Sequence, residues 1–238
     1  VTGAGRGIGK RLAIGFATRG ARVALVARSK AELDLCHLEI EHGGGSALRV
    51  RTDVCDYEQM AAAVERSRVH FGSPVQVLVC AAAILGPIGP FAESNQKSWA
   101  EMVNTNLIGV MNACRAVLPH MVERKQGVIV NVSSITTRGI YRIPYSAAKG
   151  GLIVFMRSLA KELAPHGILV NCVTPAVIET DILKQVTQQH IDYMLSKIPM
   201  GRFGKVEEAA ALVAWLCSED CSFTTGGVFD LSGGRATY

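Results

Sequence analysis

A tyrosine and a lysine four residues apart, Tyr145 and Lys149 in the stretch PYSAAKGG, are the residues that point most directly to chemistry. On a helix, this spacing places both side chains on one face, one turn apart. A lysine ammonium near a phenol favours the phenolate, and so lowers a tyrosine pKa that starts near ~10. The pair therefore predicts a proton donor and acceptor that works near neutral pH.

Two serines upstream of this pair end the apolar run GVIVNVSS. We expect a strand to end in Ser133 and Ser134, and the carboxyl ends of strands face the ligand crevice in parallel α/β sheets. A hydroxyl at that place donates a hydrogen bond to a substrate oxygen. The alternative is a hydroxyl that only supports a turn, and the residues alone leave open which of the two serines faces the ligand.

The first ten residues, VTGAGRGIGK, form a glycine-rich loop in which Gly3, Gly7 and Gly9 follow the pattern T-G-x-x-x-G-x-G. Glycines let the backbone turn sharply from strand to helix and let a pyrophosphate approach the helix N-terminus. An ordinary glycine-rich turn is the alternative. The loop lies at the first strand-to-helix turn, where doubly wound sheets bind dinucleotides, and we expect the residues that begin this strand to precede Val1.

The end of the next strand indicates which dinucleotide would bind. An acidic residue there usually holds the ribose 2′-hydroxyl of NAD, but the strand VALVARS has Ala27 at this place. Arg28 and Ser29 follow it, and Arg6 lies in the glycine loop. Two guanidiniums and a hydroxyl suit a 2′-phosphate, so the sequence predicts NADP, with NAD as the alternative. Two solvated surface arginines would be the other explanation.

Asp53, in RTDVCD after the third predicted strand, is a candidate for contact with the adenine amino group. Its alternative role is to cap the helix that begins near Tyr57, or a turn before that helix. The cofactor role is the interpretation that we favour.

The elements that position these residues alternate along the chain between short β-branched runs and longer helical patterns. Such alternation predicts one Rossmann-like, doubly wound parallel α/β sheet of about seven strands with helices on both faces. We predict a single dinucleotide-binding and catalytic domain over residues 1–238, with a substrate lid near 177–205. The predicted strands are Arg22–Ala27, Ala47–Thr52, Val75–Cys80, Gly127–Ser133, Ile168–Val173 and Val228–Leu231, and the predicted helices are Ile8–Arg19, Lys30–His42, Tyr57–Phe71, Trp99–Arg124, Tyr145–Ala164 and Val206–Ser218.

Composition excludes several classes of protein. The net charge of +5 is spread along the chain, whereas nucleic-acid binding usually concentrates basic residues on one face. No apolar run reaches the length that spans a bilayer. The seven cysteines contain no C-x-x-C pair, which argues against a zinc site or a disulfide framework and favours a reducing, cytoplasmic location.

Several motifs in a fixed order resemble those of the classical short-chain dehydrogenases/reductases. They are TGAGRGIG, the pair Asp53-Val54, NTNLIGV, NVSS, YSAAK, VNCVTPAVIET and TTGGVFDLSGG. The resemblance covers essentially the whole chain. It departs from the family at Cys80–Ala83, where the family has Asn-Asn-Ala-Gly, and at Ala176, where it has glycine.

The resemblance implies a role for each matching residue. Tyr145 resembles the general acid/base, Lys149 the lysine that holds the nicotinamide ribose and tunes the tyrosine, and Ser134 the serine that orients the reacting carbonyl. Asn106 resembles the asparagine that holds a water near the lysine. The other implied cofactor contacts are Ile8, Val54, Ala82, the backbone of Ile178, and Thr180. Family members are often homotetramers, packed through the helices that carry Asn106 and Tyr145.

The activity that follows is the NAD(P)-dependent interconversion of a secondary alcohol, such as a sugar, polyol or hydroxy acid, and its ketone. We expect three segments to wall the substrate: Ile84–Phe91, Ile135–Ile143 and Val177–Lys205. Arg138 and Arg142 lie between Ser134 and Tyr145 and are candidates to clamp a carboxylate or phosphate, unless they are exposed loop charges. A redox-sensing regulator that binds the dinucleotide without catalysis is the alternative function; its sign would be loss of the tyrosine or lysine.

Overall fold

The computed structural model describes residues 1–86, 90–139, 142–180 and 187–236. Within them, six strands run parallel in one sheet. The strands are β1 Arg22–Ala27, β2 Ser46–Arg51, β3 Val77–Cys80, β4 Gly127–Val132, β5 Ile168–Pro175 and β6 Val228–Leu231. The doubly wound parallel fold predicted from the sequence is confirmed.

Thr2 joins the two halves of the sheet. It forms parallel bridges with both Val26 of β1 and Cys80 of β3, and its N–H donates to Val79 O at 2.9 Å. The spatial order is therefore β2, β1, Thr2, β3, β4, β5, β6. The predicted number of about seven strands exceeds the six in the described residues, because Val1 and Thr2 take the place between β1 and β3 without forming a strand of their own.

Eight α-helices cover the two faces of the sheet in the part of the chain that the structure describes. They are α1 Gly7–Ala17, α2 Lys30–His42, α3 Tyr57–Phe71, α4 Gln96–Val103, α5 Gly109–Arg124, α6 Ile143–Leu163, α7 Gln188–Leu195 and α8 Val206–Leu216. Helices α3, α5 and α6 pack on one face, and α1, α2 and α8 on the other.

Apart from Asn131, β4 is apolar, and the alternation of its side chains shows why. Ile129 packs into the core beneath α5 and α6, whereas its neighbours Val130 and Val132 pack into the core beneath α1 and α8. A strand covered on both faces buries every side chain, so it reads as a continuous apolar run. The run GVIVNV is thus explained by helices on both sides.

The chain is helical over the whole predicted span Trp99–Arg124, but a π turn divides that span. The chain forms α4, then a π turn over Asn104–Ile108, and then α5. Gly109 sits so close to the chain after β2 that a Cβ atom there would lie 2.6 Å from Val54 Cγ2. A π turn is a local bulge in a helix, and the spacing of apolar residues along the chain does not indicate it. Such turns are frequent at functional sites.

The segment predicted as a lid is closed at its base. Ile178 forms a parallel bridge with Gly204, and the N–H of Glu179 donates to Gly204 O at 2.8 Å. Between these ends lies α7, none of whose residues is buried. The apolar Ile182, Leu183 and Val186, which the sequence offered as pocket wall, lie outside the described residues.

None of the described helices has both the length and the apolarity that a membrane span requires.

Candidate active site

The tyrosine and lysine lie on the first turns of α6, beside the carboxyl end of β4. Pro144 stands in the first turn of the helix, where a missing N–H costs nothing. Tyr145 is 6% exposed and Lys149 is 1% exposed. The Lys149 ammonium donates a hydrogen bond to Val132 O at 2.7 Å and lies 5.8 Å from the centre of the Tyr145 ring. The two side chains therefore share one face of α6.

The two serines after β4 have different partners. The hydroxyl of Ser134 accepts a hydrogen bond from Thr136 N at 3.2 Å, which caps the 3₁₀ turn after β4, and its interaction with the Tyr145 phenol lowers the pKa of that phenol. The hydroxyl of Ser133 donates to the backbone oxygen of Lys149 at 3.0 Å. Ser134 thus caps a turn beside the tyrosine, and Ser133 ties the end of the strand to the helix.

Burial dominates the electrostatics of this pair. Desolvation raises the pKa of Tyr145 above its usual value, and it outweighs the hydrogen bond from Ser134 and the positive charge of Arg142, which both lower it. Desolvation also lowers the pKa of Lys149 from 10.5 to about 8. The expectation that the lysine would lower the tyrosine pKa is wrong for this arrangement, because the ammonium sits on the Val132 carbonyl and not on the phenol.

Asn106 lies in the π turn and is fully buried. Its amide nitrogen donates to Ile84 O and Met102 O, each at 2.9 Å, and its amide oxygen accepts from Ile84 N at 3.2 Å. The side chain therefore fixes the first residue of the predicted substrate wall Ile84–Phe91. Its hydrogen bonds to described residues go to that wall and to α4, rather than to Lys149.

The glycine loop forms a cradle that only glycine fits. Gly3 has φ +68°, and a Cβ atom there would lie 2.7 Å from the backbone nitrogen of Ala82. A Cβ on Gly9 would lie 2.3 Å from the backbone oxygen of Gly3. Helix α1 begins at Gly7 with no acidic residue in its first turn and no side-chain cap. Its first N–H groups therefore suit a pyrophosphate, and Ile8 lies in that same first turn.

Thr2 steadies the turn after β3, where the chain departs from the family pattern. Its hydroxyl accepts hydrogen bonds from Ala81 N at 3.2 Å and Ala82 N at 3.3 Å. Neither Ala83 nor Ala176 is among the described residues with positive φ. The alanines that replace glycine are therefore free of left-handed strain.

A cavity of about 410 Å³ opens at the carboxyl ends of β1 and β2. It is lined by Arg28, Arg51, Thr52, Asp53 and Gln59. Arg51, which sequence reasoning missed, donates from Nε to Arg28 O at 3.1 Å. Its only sequence signal is its place as the last residue of a strand that ends at the ligand edge.

The other residues predicted for a 2′-phosphate have partners of their own. Arg6 lies 3.9 Å from the carboxylate of Glu32, so its charge is partly offset. The Ser29 hydroxyl caps α2 by accepting a hydrogen bond from Glu32 N at 3.3 Å. The structure therefore places Arg28 and Arg51 together, with Arg6 directed towards Glu32.

Asp53 supports a turn and does not cap the helix. Its carboxylate accepts from Cys55 N at 3.0 Å, while the N-cap of α3 is Asp56. Val54 is buried, and its backbone oxygen accepts from the Asn112 side chain at 3.0 Å. The loop that lines the cavity is thus anchored to α5.

Across the site, the start of the segment predicted as a lid lies near the glycine loop. A Cβ atom built on Gly7 would be 3.8 Å from Thr180 Cγ2. Ile178 is buried at its bridge with Gly204. This segment and the glycine loop therefore approach each other at the carboxyl edge of the sheet.

Arg142 caps the amino end of α6 in a left-handed conformation with φ +58°, which is uncommon outside glycine. Its Nη1 donates to Leu85 O at 3.2 Å and to Gly86 O at 3.1 Å. Partial burial lowers its pKa, and the Tyr145 phenol acts on it electrostatically. Arg138, at the end of a 3₁₀ turn, is exposed. Of the two arginines, Arg142 is the one held beside the tyrosine.

Comparison with known proteins identifies the family. The sequence profile described as short chain dehydrogenase matches residues 1–191. The chain is 41% identical to a 2-dehydro-3-deoxy-L-rhamnonate dehydrogenase (NAD(+)) from Sphingomonas sp., with 100% of this chain and 94% of that protein aligned. It is 37% identical to a 3-oxoacyl-[acyl-carrier-protein] reductase from Thermotoga maritima, over 98% of this chain and 95% of that protein.

Two further similarities extend this result. A 1,6-dihydroxycyclohexa-2,4-diene-1-carboxylate dehydrogenase from Acinetobacter baylyi is 36% identical, over 98% of this chain and 94% of that protein. The crystal structure of a 3-oxoacyl-[acyl-carrier protein] reductase from Brucella melitensis superposes with a TM-score of 0.93 at 33% identity, covering 100% of this chain and 90% of that one. The chain belongs to the short-chain dehydrogenase/reductase family, and it is an oxidoreductase that acts on CH–OH or keto groups with NAD(P).

The burial of Lys149 predicts a pH-dependent change in stability. Its pKa is about 8 in the folded protein and 10.5 when exposed, so between these values the unfolded chain binds more protons. The free energy of unfolding should therefore rise with pH in this window, by at most about 3 kcal/mol. In Lys149→Met this rise is absent. Urea unfolding of both proteins between pH 7 and pH 10.5 measures the difference, and parallel curves would contradict the assignment.

Proposed function

We propose that the protein is an NADP-dependent oxidoreductase that interconverts a secondary alcohol and its ketone, with Tyr145 as the general acid/base. The observation that carries the proposal is the burial of Tyr145 and Lys149, one turn apart on α6, beside the carboxyl end of β4 where Ser134 lies. This group stands at the carboxyl edge of the sheet that also carries the glycine loop. The tyrosine and lysine that a non-catalytic sensor could lose are both in place, so we favour catalysis.

The chain's own residues would perform the proton transfer. In oxidation, the phenolate of Tyr145 takes the proton of the substrate hydroxyl, while Ser134 donates a hydrogen bond to the same oxygen. In reduction, the protonated phenol returns that proton to the ketone oxygen. The Lys149 ammonium, one turn along α6, would hold the nicotinamide ribose and pass the proton on from Tyr145. A bound nicotinamide supplies the hydride donor or acceptor.

We infer that residues 1–238 work as one dinucleotide-binding and catalytic domain, with 177–205 as a lid over the substrate. The support is the position of Thr180 against the glycine loop and the closed base of the segment at Ile178 and Gly204. A helix with no buried residue, such as α7, is free to cover a ligand in the crevice.

Replacing Tyr145 by phenylalanine tests the proposed function. Tyr145→Phe keeps the ring and its packing but removes the proton, so turnover should fall by about 10²–10⁴-fold. Binding of NADPH, followed by fluorescence, should persist. The assay uses a panel of sugars, polyols and hydroxy acids with both nicotinamide cofactors. Wild-type turnover in Tyr145→Phe, on any substrate that the native protein uses, would refute the assignment.

The preference for NADP rests on the cavity at the ends of β1 and β2. Arg28 and Arg51 line it together, and no acid follows β1 to bind a ribose 2′-hydroxyl. Guanidinium groups suit the doubly charged 2′-phosphate, because they give charge-assisted and often bidentate hydrogen bonds. Asp53 also lines the cavity, and we propose it as the adenine contact. The relative from Sphingomonas is named as an NAD(+) enzyme, so the preference needs a direct test.

Titration of the apo protein with NADPH and NADH provides this test. Arg51→Ala and Arg28→Ala should each weaken NADPH binding by about 10- to 100-fold, as expected for a charged hydrogen bond, and should leave NADH binding nearly unchanged. Arg49→Ala is the matched control, because Arg49 lies on the same strand and pairs with Asp34 at 2.6 Å. Equal losses for both cofactors, or tighter binding of NADH by the native protein, would contradict the preference.

We further propose that the substrate carries a carboxylate, which Arg142 reads. Arg142 is half-buried, is fixed by two carbonyl groups and lies beside Tyr145. A partly desolvated cation gains most from an anionic partner. Two relatives are named for carboxylate compounds, a deoxy-L-rhamnonate and a cyclohexadiene carboxylate. These names agree with a hydroxy acid as the substrate class.

Kinetics of Arg142→Ala would check this proposal. KM for 2-dehydro-3-deoxy-L-rhamnonate or 1,6-dihydroxycyclohexa-2,4-diene-1-carboxylate should rise by about 10- to 100-fold, and kcat should change less. A neutral polyol such as xylitol should respond little. Arg138→Ala, at an exposed position in the same segment, serves as the comparison. If KM for the acid and KM for the polyol change equally in Arg142→Ala, the proposal is wrong, and Arg142 only supports the segment with Leu85 and Gly86 that it binds.

We also propose a homotetramer in a reducing, cytoplasmic compartment. Apolar side chains remain exposed around α5 and α6, with Ile108 and Val154 among them, although the sheet side of these helices is already covered. A helix that is apolar on two sides is usually buried on both, and light scattering would show the number of subunits. All seven cysteines are free, which suits a reducing compartment.

A further inference from the structure

The side chain of Asn131, in the middle of β4, is the buried polar group that the site described above does not use. It is completely inaccessible to solvent. Neither its amide nitrogen nor its amide oxygen has a hydrogen-bond partner in the part of the chain that the structure describes. Buried amides are almost always hydrogen-bonded, because an unpaired one keeps the full cost of its desolvation. A group of this kind in the centre of a sheet indicates a bound water or a functional role.

The sheet register shows which way this side chain points. Asn131 is paired with Cys80 on β3 and with Cys172 on β5, so the three residues form one row. Cys80 and Cys172 belong to the core beneath α5 and α6, as does Ile129, two residues before Asn131. Because side chains alternate along a strand, the Asn131 amide faces the same two helices.

Lys149 reaches this row from above. Its ammonium donates to the oxygen of Val132, the residue directly after Asn131. The titratable groups that act on it from the sheet are the thiols of Cys172 and Cys80, the two row neighbours of Asn131. From α5, Cys114 contacts Cys80, and Tyr145 is the titratable group on the lysine's own helix. The ammonium, the thiols and the amide thus share one buried compartment.

Within this compartment, the amide is the best acceptor for the lysine. An ammonium has three donors, and thiols accept hydrogen bonds only weakly. An amide oxygen accepts well and does not titrate, so it favours the charged lysine at every pH. One water between the two would satisfy polar atoms of both groups, as buried waters commonly do.

We propose that Asn131 is a positioning residue for Lys149, whose amide oxygen and whose ammonium share one buried water that holds the ammonium beneath Tyr145. The inference rests on the proposed role of Lys149 in catalysis. It assigns to Asn131 an effect on proton transfer, whereas a purely structural asparagine would affect only folding.

Asn131→Leu separates these two roles, because leucine has the same branched shape and number of non-hydrogen atoms as asparagine but no polar atom. The melting temperature reports the structural effect of the change, because it does not depend on proton transfer. The turnover number should fall by about tenfold. The lysine loses an acceptor, which disfavours its charged form, so its pKa falls and the alkaline limb of the kcat profile moves to lower pH.

The controls fix the interpretation. Ile129→Val, on the same face of the same strand, should change stability without moving the alkaline limb. NADPH binding to Asn131→Leu, followed by fluorescence, should stay within a few-fold of the native value, which locates the defect in the proton step. An alkaline limb and a turnover number equal to those of the native protein in Asn131→Leu would overturn the proposal.

A second pair of variants covers the case in which Asn131→Leu does not fold. Asn131→Ser keeps an acceptor and Asn131→Ala does not. The alkaline limb of the kcat profile should stay at the native pH in the serine variant and should move to lower pH in the alanine variant. The same position of the limb in both variants would overturn the proposal. Failure of the proposed function is seen separately, because Tyr145→Phe would then remain active whatever the Asn131 variants do.

Discussion

The hydrogen bond from the Lys149 ammonium to Val132 O is the interaction on which the site depends. It buries a cation at the point where β4 ends and α6 crosses the sheet. The reciprocal bond from the Ser133 hydroxyl to Lys149 O closes the same junction from the strand. These two hydrogen bonds fix the helix relative to the strand. They therefore also fix Tyr145, which lies in α6, relative to Ser134, which follows β4.

The walls of the crevice are attached to this junction by side chains that reach across loops. Asn106 in the π turn binds Ile84 through both its amide nitrogen and its amide oxygen. Arg142 at the start of α6 holds Leu85 and Gly86. The segment after β3 is therefore held from two sides, and a displacement of α6 would move this segment together with Tyr145. The cofactor edge is built separately, from Thr2, the glycine loop and the ends of β1 and β2.

Several features of this site oppose stability. Lys149 is almost completely buried, Arg142 has a left-handed backbone, and the Asn131 amide has no hydrogen-bond partner among the described residues. The unfavourable groups cluster at the end of β4 and the start of α6, whereas the rest of the sheet is filled by apolar residues that alternate between two cores. Strain that gathers around one junction is typical of a functional site, because the surrounding core must hold it in place.

The sequence by itself determined the class of fold and the elements that carry the candidate site residues. Helices α2 and α3 and strands β1 and β6 begin and end where the sequence pattern predicts, because periodicity and capping are local. The spacing of Tyr145 and Lys149 was enough to place both on one helical face. Only the tertiary structure decided which serine meets the tyrosine, that Arg51 joins Arg28 while Arg6 turns to Glu32, and that the helix before α5 contains a π turn. It also decided that burial outweighs the nearby charges and raises the tyrosine pKa. Each of these outcomes depends on distances between residues far apart in the chain and on exclusion of water, which no local pattern records.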